Sequence, residues 1–183
     1  MHVAIAAIET SSIAQGTVVG DAMAKTAEVT LIQACPISPG KYWVLIGGQV
    51  AEVRSSFQRG IEVAGDALLD SLFIPQVHDM VLPALAGVVA GEDHDALGVI
   101  ETLTAASAIV AADHAAKAAD VILRDLRLAN GLGGKGIVFL TGEVGSVEAA
   151  IAAGRAEALA RGLLARAVVI PRLHAQMKAR MLP

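Results

Sequence analysis

Two short glycine-lysine segments, SPGK at 38–41 and GGK at 133–135, invite comparison with a phosphate-binding loop. In such a loop backbone N–H groups hold phosphates, and a Ser or Thr after the lysine binds Mg²⁺. Here Tyr42 follows the first lysine and Gly136 the second, and the GxxxxGK[ST] spacing is not met. Each segment also joins two predicted strands instead of opening a helix. These observations favour hairpin turns and leave open that the matched loops gather around a symmetry axis.

Two acidic–basic pairs, Asp21/Lys25 and Asp113/Lys117, have the i, i+4 spacing of neighbours on a helix. An isolated pair of this kind contributes a few tenths of a kcal/mol and is ordinarily a surface salt bridge. The two pairs recur at equivalent positions in the two halves of the chain. This repetition predicts a surface that both halves use.

The remaining reactive side chains do not converge on a catalytic or metal site. His78 and His174 each follow an Ile-Pro pair, and nothing supplies the three or four ligands of a zinc site, so structural or interface histidines are predicted. Glu9 and Glu101 end equivalent strands and are interpreted as structural carboxylates. Cys35 is the single cysteine, which excludes an intramolecular disulfide and predicts a buried, inert thiol. No nucleophile–base set suggests an enzyme.

The composition of the 183 residues narrows the class of protein. The net charge of −4, without a basic cluster, argues against nucleic-acid binding. Charged residues interrupt every long apolar run and no basic segment opens the chain, which argues against a membrane span or a secretory signal and favours the cytosol. Hydrophobic residues are 55% and charged residues 17%, so we expect burial against the other half of the chain or further subunits.

The sequence is a tandem duplication. The matches between the halves drift in offset from 92 to 94 to 96 residues, which marks small insertions in the second copy. They include Ile8-Glu9-Thr10 with Ile100-Glu101-Thr102, Gly40-Lys41 with Gly134-Lys135, Gly60 with Gly154, and Ile74-Pro75 with Ile170-Pro171. We predict two domains, 1–92 and 93–183, joined by the polar segment 90–96 with a boundary near Asp93.

Each copy is predicted to have the element order β-α-β-β-α-β followed by a C-terminal helix. This is the ferredoxin-like arrangement of the α/β (α+β) class, with an antiparallel sheet and helices mainly on one face. Ser11 or Ser12 is predicted to cap the first helix, and Ser146 the helix after the seventh strand. The predicted strands are 3–9, 29–37, 42–48, 68–75, 97–103, 121–129, 136–142 and 163–170. The first predicted helix ends near Ala27. The others span 50–68, 105–119, 146–161 and 172–181, and a short helix is predicted near Pro83.

These segments resemble the bacterial microcompartment (BMC) shell-protein family. The helices with Asp21/Lys25 and Asp113/Lys117 are similar to its edge-lysine motif, and the glycine-rich hairpins resemble its pore loops. IPRLH at 170–174 resembles its Ile-Pro-Arg-Pro-His segment with Leu173 for the second proline, and IPQVH at 74–78 is a looser copy. The likeness covers nearly the whole chain twice. The chain is therefore similar to tandem-domain, trimer-forming shell proteins of the propanediol-utilisation type.

The resemblance implies a structural function in a microcompartment shell. Three chains would form a flat pseudohexamer that tiles with copies of itself and other shell proteins, with a central pore for small metabolites. Because the element order is not permuted, a single layer is implied. The implied pore residues are Ile37, Ser38, Pro39, Gly40, Lys41, Gly131, Leu132, Gly133, Gly134 and Lys135. The implied tile-edge residues are Asp21, Lys25, Asp113, Lys117, His78, Arg172 and His174.

One position departs from this pattern. In related proteins of that type a cysteine precedes the Pro-Gly-Lys turn, and three copies can bind an iron–sulfur cluster at the pore. Here that residue is Ser38, whose hydroxyl is a poor substitute for a soft thiolate. Cys35 is about 10 Å away along a strand and faces the opposite side. No metal or other cofactor is therefore expected, and a polar pore for neutral or anionic metabolites is implied.

Two other functions remain open at this point. One is an electron-transfer shell protein that carries an iron–sulfur cluster at its pore. The other is a regulatory trimer of ferredoxin-like units that binds a small molecule between its subunits.

Overall fold

A computed structural model describes residues 4–88 and 94–181 of the chain. The chain divides into two compact units: unit 1 is 1–77 with 129–134, and unit 2 is 78–128 with 135–183. The predicted domain boundary near Asp93 lies outside the described residues and stays a prediction.

Unit 1 is a four-stranded antiparallel sheet with two helices. The elements are β1 (Ala4–Thr10), α1 (Ile13–Thr26), β2 (Thr30–Ile37), β3 (Lys41–Gly48), α2 (Val50–Ala64) and β4 (Leu68–Ile74). The strand order is β2-β3-β1-β4, so β1 lies in the middle of the sheet.

Unit 2 repeats this arrangement and adds a short helix at each end. The elements are α3 (Val81–Leu85), β5 (Ala96–Thr102), α4 (Ala105–Ala118), β6 (Ile122–Leu128), β7 (Gly136–Gly142), α5 (Val144–Ala160), β8 (Leu164–Ile170) and α6 (Ala175–Met181). The strand order is β6-β7-β5-β8, which is the order of unit 1 with every strand replaced by its counterpart. The predicted element order is confirmed in both copies.

The core of unit 1 explains the uninterrupted apolar run of its first strand. All seven residues of β1 are buried, which is typical of a central strand. Ile8 packs among Val19 and Met23 of α1 and Val53 of α2, all of them inaccessible to solvent. One face of each helix therefore closes over the sheet, and the ends of the strands carry the polar residues discussed below.

Side-chain caps fix where the first helix of each copy begins. Ser12 accepts a hydrogen bond from the Gln15 N–H at 3.2 Å, and Thr104 does the same for Ser107 at 3.2 Å. Ser11, the other predicted cap, donates to the Ala67 carbonyl instead. Both capping residues are extended, as N-caps usually are.

Three predicted helix boundaries are wrong. Ser146 does not cap α5, because the chain turns directly from β7 into the helix: Glu143 is the N-cap residue, and Ser146 lies inside the first turn. The helix predicted over 50–68 ends at Ala64, because Gly65 adopts a φ of +53° and leads into a single 3₁₀ turn. The last helix begins at Ala175, three residues later than predicted.

Candidate functional site

The two predicted pore loops lie against each other in unit 1. Residues 37–41 turn between β2 and β3, and 129–134, which connect β6 to β7 in the chain, pack beside them. The backbone N–H of Ser38 donates to Asn130 Oδ1 at 3.1 Å. A Cβ atom on Gly134 would lie only 2.8 Å from Cδ of Pro39 and 3.1 Å from the carbonyl oxygen of Ser38. The structure therefore brings the two unlike loops into direct contact.

Glycine is required at the point of closest approach. Gly134 combines a φ of +87° with burial and the short distances just given, so any side chain there would be strained and would displace the Ser38-Pro39 turn. Pro39, Gly40 and Gly131 are exposed, whereas the side chain of Ile37 is buried. The exposed tips of the loops are thus small residues and peptide groups.

Each loop lysine forms an ion pair with the glutamate at the end of the neighbouring strand. Lys41 Nζ lies 2.7 Å from Glu9 Oε1, and Lys135 Nζ lies 2.8 Å from Glu101 Oε1. The first pair is far more buried: the side chain of Glu9 is 0% exposed, and that of Glu101 is 31% exposed. Sequence reasoning assigned these residues separate roles. The signal for the pairing was that both partners recur in the second copy, at offsets of 92 and 94.

The two Asp–Lys pairs form as predicted, but in different environments. Asp21 and Lys25 are 2.7 Å apart, and their side chains are 60% and 74% exposed. Asp113 and Lys117 are 2.6 Å apart, but the side chain of Asp113 is 2% exposed. The backbone N–H of His78 donates to Asp113 Oδ1 at 2.8 Å. The first pair is therefore a surface salt bridge, and the second contains a buried carboxylate.

The two repeated histidines make the same hydrogen bond with their rings. The Nδ1 atom of His78 accepts the N–H of Met80, and that of His174 accepts the N–H of Gln176, both at 3.3 Å. Between the exposed Arg172 and His174, Leu173 is buried in the core of unit 2 beside Leu97 and Phe139. In the described residues, no three His, Cys, Asp or Glu side chains cluster as a metal site would require. Placement of these residues at a tile edge stays a prediction.

The hairpin does not fit an iron–sulfur cluster. Ser38 contributes a hydroxyl where a thiolate would be needed. Cys35 lies in β2 and pairs with Trp43 of β3. It is half-buried, not fully buried as predicted, because β2 is an edge strand of its sheet. Burial raises the pKa of the Cys35 thiol above its ordinary value, which disfavours the thiolate that a metal binds.

This pKa shift predicts slow alkylation of Cys35. Because only the thiolate reacts, a raised pKa lowers the reactive fraction at a given pH, so Cys35 should react more slowly than in the unfolded chain, and its rate should still be rising at pH 8. Iodoacetamide labelling followed by mass spectrometry measures the rate, and the urea-unfolded chain serves as the control. A rate that levels off below pH 8 would show a thiol pKa lowered, not raised, by the fold.

Comparison with known proteins matches both halves of the chain to one family, the BMC domain, at residues 4–77 and 96–173. The chain is 41% identical to the bacterial microcompartment shell protein PduT of Citrobacter freundii over 177 residues, which is 97% of this chain and 96% of that protein. A solved microcompartments protein from Desulfitobacterium hafniense DCB superposes with a TM-score of 0.86 at 46% identity, covering 96% of this chain and 98% of that one.

A second solved structure, the fused permuted hexameric shell protein of the RMM microcompartment, gives a TM-score of 0.66 at 25% identity, covering 86% and 84% of the two chains. The protein therefore belongs to the BMC-domain family of bacterial microcompartment shell proteins, with two BMC domains in tandem. In the part of the chain that the structure describes, we find no helix with the length and apolarity to cross a membrane.

Proposed function

We propose that three copies of this shell protein close into a flat, pseudohexameric tile of a microcompartment shell, with a central pore for small metabolites. The observation that carries the proposal is that one chain contains the same BMC fold twice, with matched loops and matched helices. Six similar domains close a ring when each contacts the next through the same pair of unlike surfaces. The role is structural, and the partners are further copies of the chain and other shell proteins.

The pair of contacting loops supports the pore. In the proposed tile, residues 37–41 and 131–135 surround the axis, and three Ser38 hydroxyls alternate with the glycine-rich loops. The ion pairs with Glu9 and Glu101 offset the charges of Lys41 and Lys135, so hydroxyl and peptide groups dominate the lining. Such a lining suits small polar metabolites that are neutral or anionic, since backbone N–H groups bind anions without a cationic side chain.

Sedimentation and electron microscopy together test the proposal. We expect a particle of three chains in dilute solution, and flat sheets, tubes or shell fragments in concentrated samples. A protein that stays monomeric and forms no sheets at any concentration would contradict it. A trimer that forms no sheets but becomes more stable with a nucleotide would instead support the small-molecule-binding regulator.

Changing both edge lysines to alanine should abolish sheets but leave the trimer intact. Lys25 and Lys117 keep side-chain exposures of 74% and 42%, so both are available to a neighbouring tile. Electron micrographs give the sheet content, and sedimentation gives the size of the particle. Arg59→Ala is the matched control, because Arg59 also forms an exposed helical salt bridge, to Glu62, outside the proposed edge. Dissociation of the trimer in the lysine variant would place these lysines on a different surface.

A further inference from the structure

Helices α1 and α4 are equivalent in sequence and fold but differ in how much of their surface is covered. Along α1, Ile13 is 42% exposed, and Thr17 and Asp21 are also exposed. Their counterparts in α4, at an offset of 92, are Ala105, Ile109 and Asp113, and each is at most 1% exposed. A face that is buried in one copy is therefore open in the other.

Part of the cover over α4 is the segment 78–88, which follows the first BMC domain in the chain and belongs to unit 2. Its helix α3 packs on α4 and β6, with Val81 and Ala84 buried. At the start of the segment, the His78 N–H donates to Asp113 Oδ1, whose other oxygen Oδ2 holds Lys117. This hydrogen bond and ion pair satisfy both oxygens of a carboxylate that is withdrawn from water.

The segment after the second BMC domain is the counterpart of 78–88, and its histidine makes the same hydrogen bond from the backbone to the ring. The ring of His174 accepts the Gln176 N–H as the ring of His78 accepts the Met80 N–H. His174 is exposed, and no residue of α6 is buried. Leu173, buried in unit 2, anchors the start of this segment. The exposed His174 therefore directly follows a residue that is anchored in the core of unit 2.

We propose that the segment 172–181 of one copy docks on α1 of a second copy, with the backbone N–H of His174 donating to Asp21. This inference rests on the proposed tile and specifies the contact between its chains. Each copy offers the segment 172–181 in unit 2 and α1 in unit 1, so the contacts are heterologous, and with the rotation of the proposed tile they close a ring of three. Asp21 then becomes buried, as Asp113 already is. Of the pair Asp21/Lys25, only the lysine then stays exposed at the tile edge, as Lys117 does in the second copy.

The contacts of Asp21 fit this role. Within the described part of the chain, Asp21 Oδ2 accepts from Lys25 Nζ at 2.7 Å, the bond that Asp113 Oδ2 makes to Lys117. The Oδ1 position, which holds the His78 N–H in the second copy, is the one that a neighbouring chain would occupy. Ile13 and Val18, the latter 53% exposed, would be covered at the same interface, which accounts for apolar surface on α1.

Disulfide trapping tests the contact. In a background in which Cys35 is replaced by alanine, the pair Asp21→Cys and His174→Cys should oxidise to covalent dimers and trimers on a non-reducing gel. The pair Asp113→Cys and His78→Cys is the matched control, because the same geometry lies within one chain and should give only a cross-linked monomer. Each single cysteine variant should give no specific ladder.

A second measurement uses no cysteine. Asp21→Ala should weaken association between chains by about tenfold or more at each interface, because a hydrogen bond to a charged group is lost. Lys25→Ala should leave association unchanged in sedimentation runs. If the unmodified protein is a trimer but the Asp21/His174 pair does not cross-link and Asp21→Ala still associates normally, this contact is wrong and the tile survives. If the unmodified protein does not associate, the tile itself is wrong.

Discussion

Lys41→Ala is expected to destabilise the protein by about 3 kcal/mol, because it leaves the carboxylate of Glu9 buried without its cation. Glu9 is fully inaccessible, and its partner lies 2.7 Å away with a side chain only 18% exposed. Removing one member of a buried ion pair typically costs about 3–5 kcal/mol, since the remaining charge keeps its desolvation penalty and loses its compensation. We place the effect at the lower limit because Glu9 makes further interactions.

The duplication supplies the matched control. Lys135→Ala removes the equivalent pair, but Glu101 is 31% exposed and Lys135 is 45% exposed. Water therefore screens and solvates the carboxylate left behind, and the expected loss is below about 1 kcal/mol. Urea unfolding at fixed protein concentration measures both variants. Equal losses would show that the burial of Glu9 does not control the strength of this pair.

Gly154→Ala is expected to destabilise the protein by about 1–3 kcal/mol through overpacking between α4 and α5. The added Cβ would lie 2.6 Å from Ile100 Cδ1 and 2.7 Å from the carbonyl oxygen of Ala111. The carbonyl is backbone, so the clash is relieved only if the two helices move apart. The thermal midpoint of unfolding, measured at one protein concentration, should fall.

Gly145→Ala in the same helix should stabilise the protein, where Gly154→Ala destabilises it. Nothing lies within 4 Å of the Cβ position of Gly145, so the substitution gains helix propensity of up to about 1 kcal/mol without a clash. Gly60→Ala, the counterpart of Gly154→Ala in α2, should cost less, because the three atoms nearest to the added Cβ belong to the side chains of Ile8 and Met23 and none belongs to the backbone. A Gly154→Ala variant as stable as Gly145→Ala would contradict the close packing of α4 on α5.

The internal repeat made most of the fold predictable. Apolar runs such as AIAAIET and turn residues such as Gly40 are local signals, and finding each signal twice removed most of the ambiguity. The pairs Asp21/Lys25 and Asp113/Lys117 were predictable for the same reason, because i, i+4 contacts depend only on the helix. The start of α5 was not, since Ser146 offers a plausible cap that the tight turn after β7 makes unnecessary.

The features that sequence reasoning missed are long-range. The pairing of Glu9 with Lys41 spans 32 residues, and the contact of Ser38 with Asn130 spans 92. The difference in burial between Asp21 and Asp113 was equally invisible, because the same motif is present in both helices. What differs is the surrounding structure, and a periodic pattern carries no information about which of two like faces is already covered.

The hydrogen bond from His78 to Asp113 has a consequence for assembly kinetics. In the proposed ring, half of the equivalent contacts form when a single chain folds. The effective concentration of one domain around the other is then set by the connecting segment and does not depend on how much protein the cell makes. Only the other half must be gained by collision. At equilibrium the concentration of complete rings varies as the sixth power of the free subunit concentration when the subunits are single domains. For the two-domain chain it varies as the third power. Complete rings should therefore persist at dilutions where separate domains would fall apart.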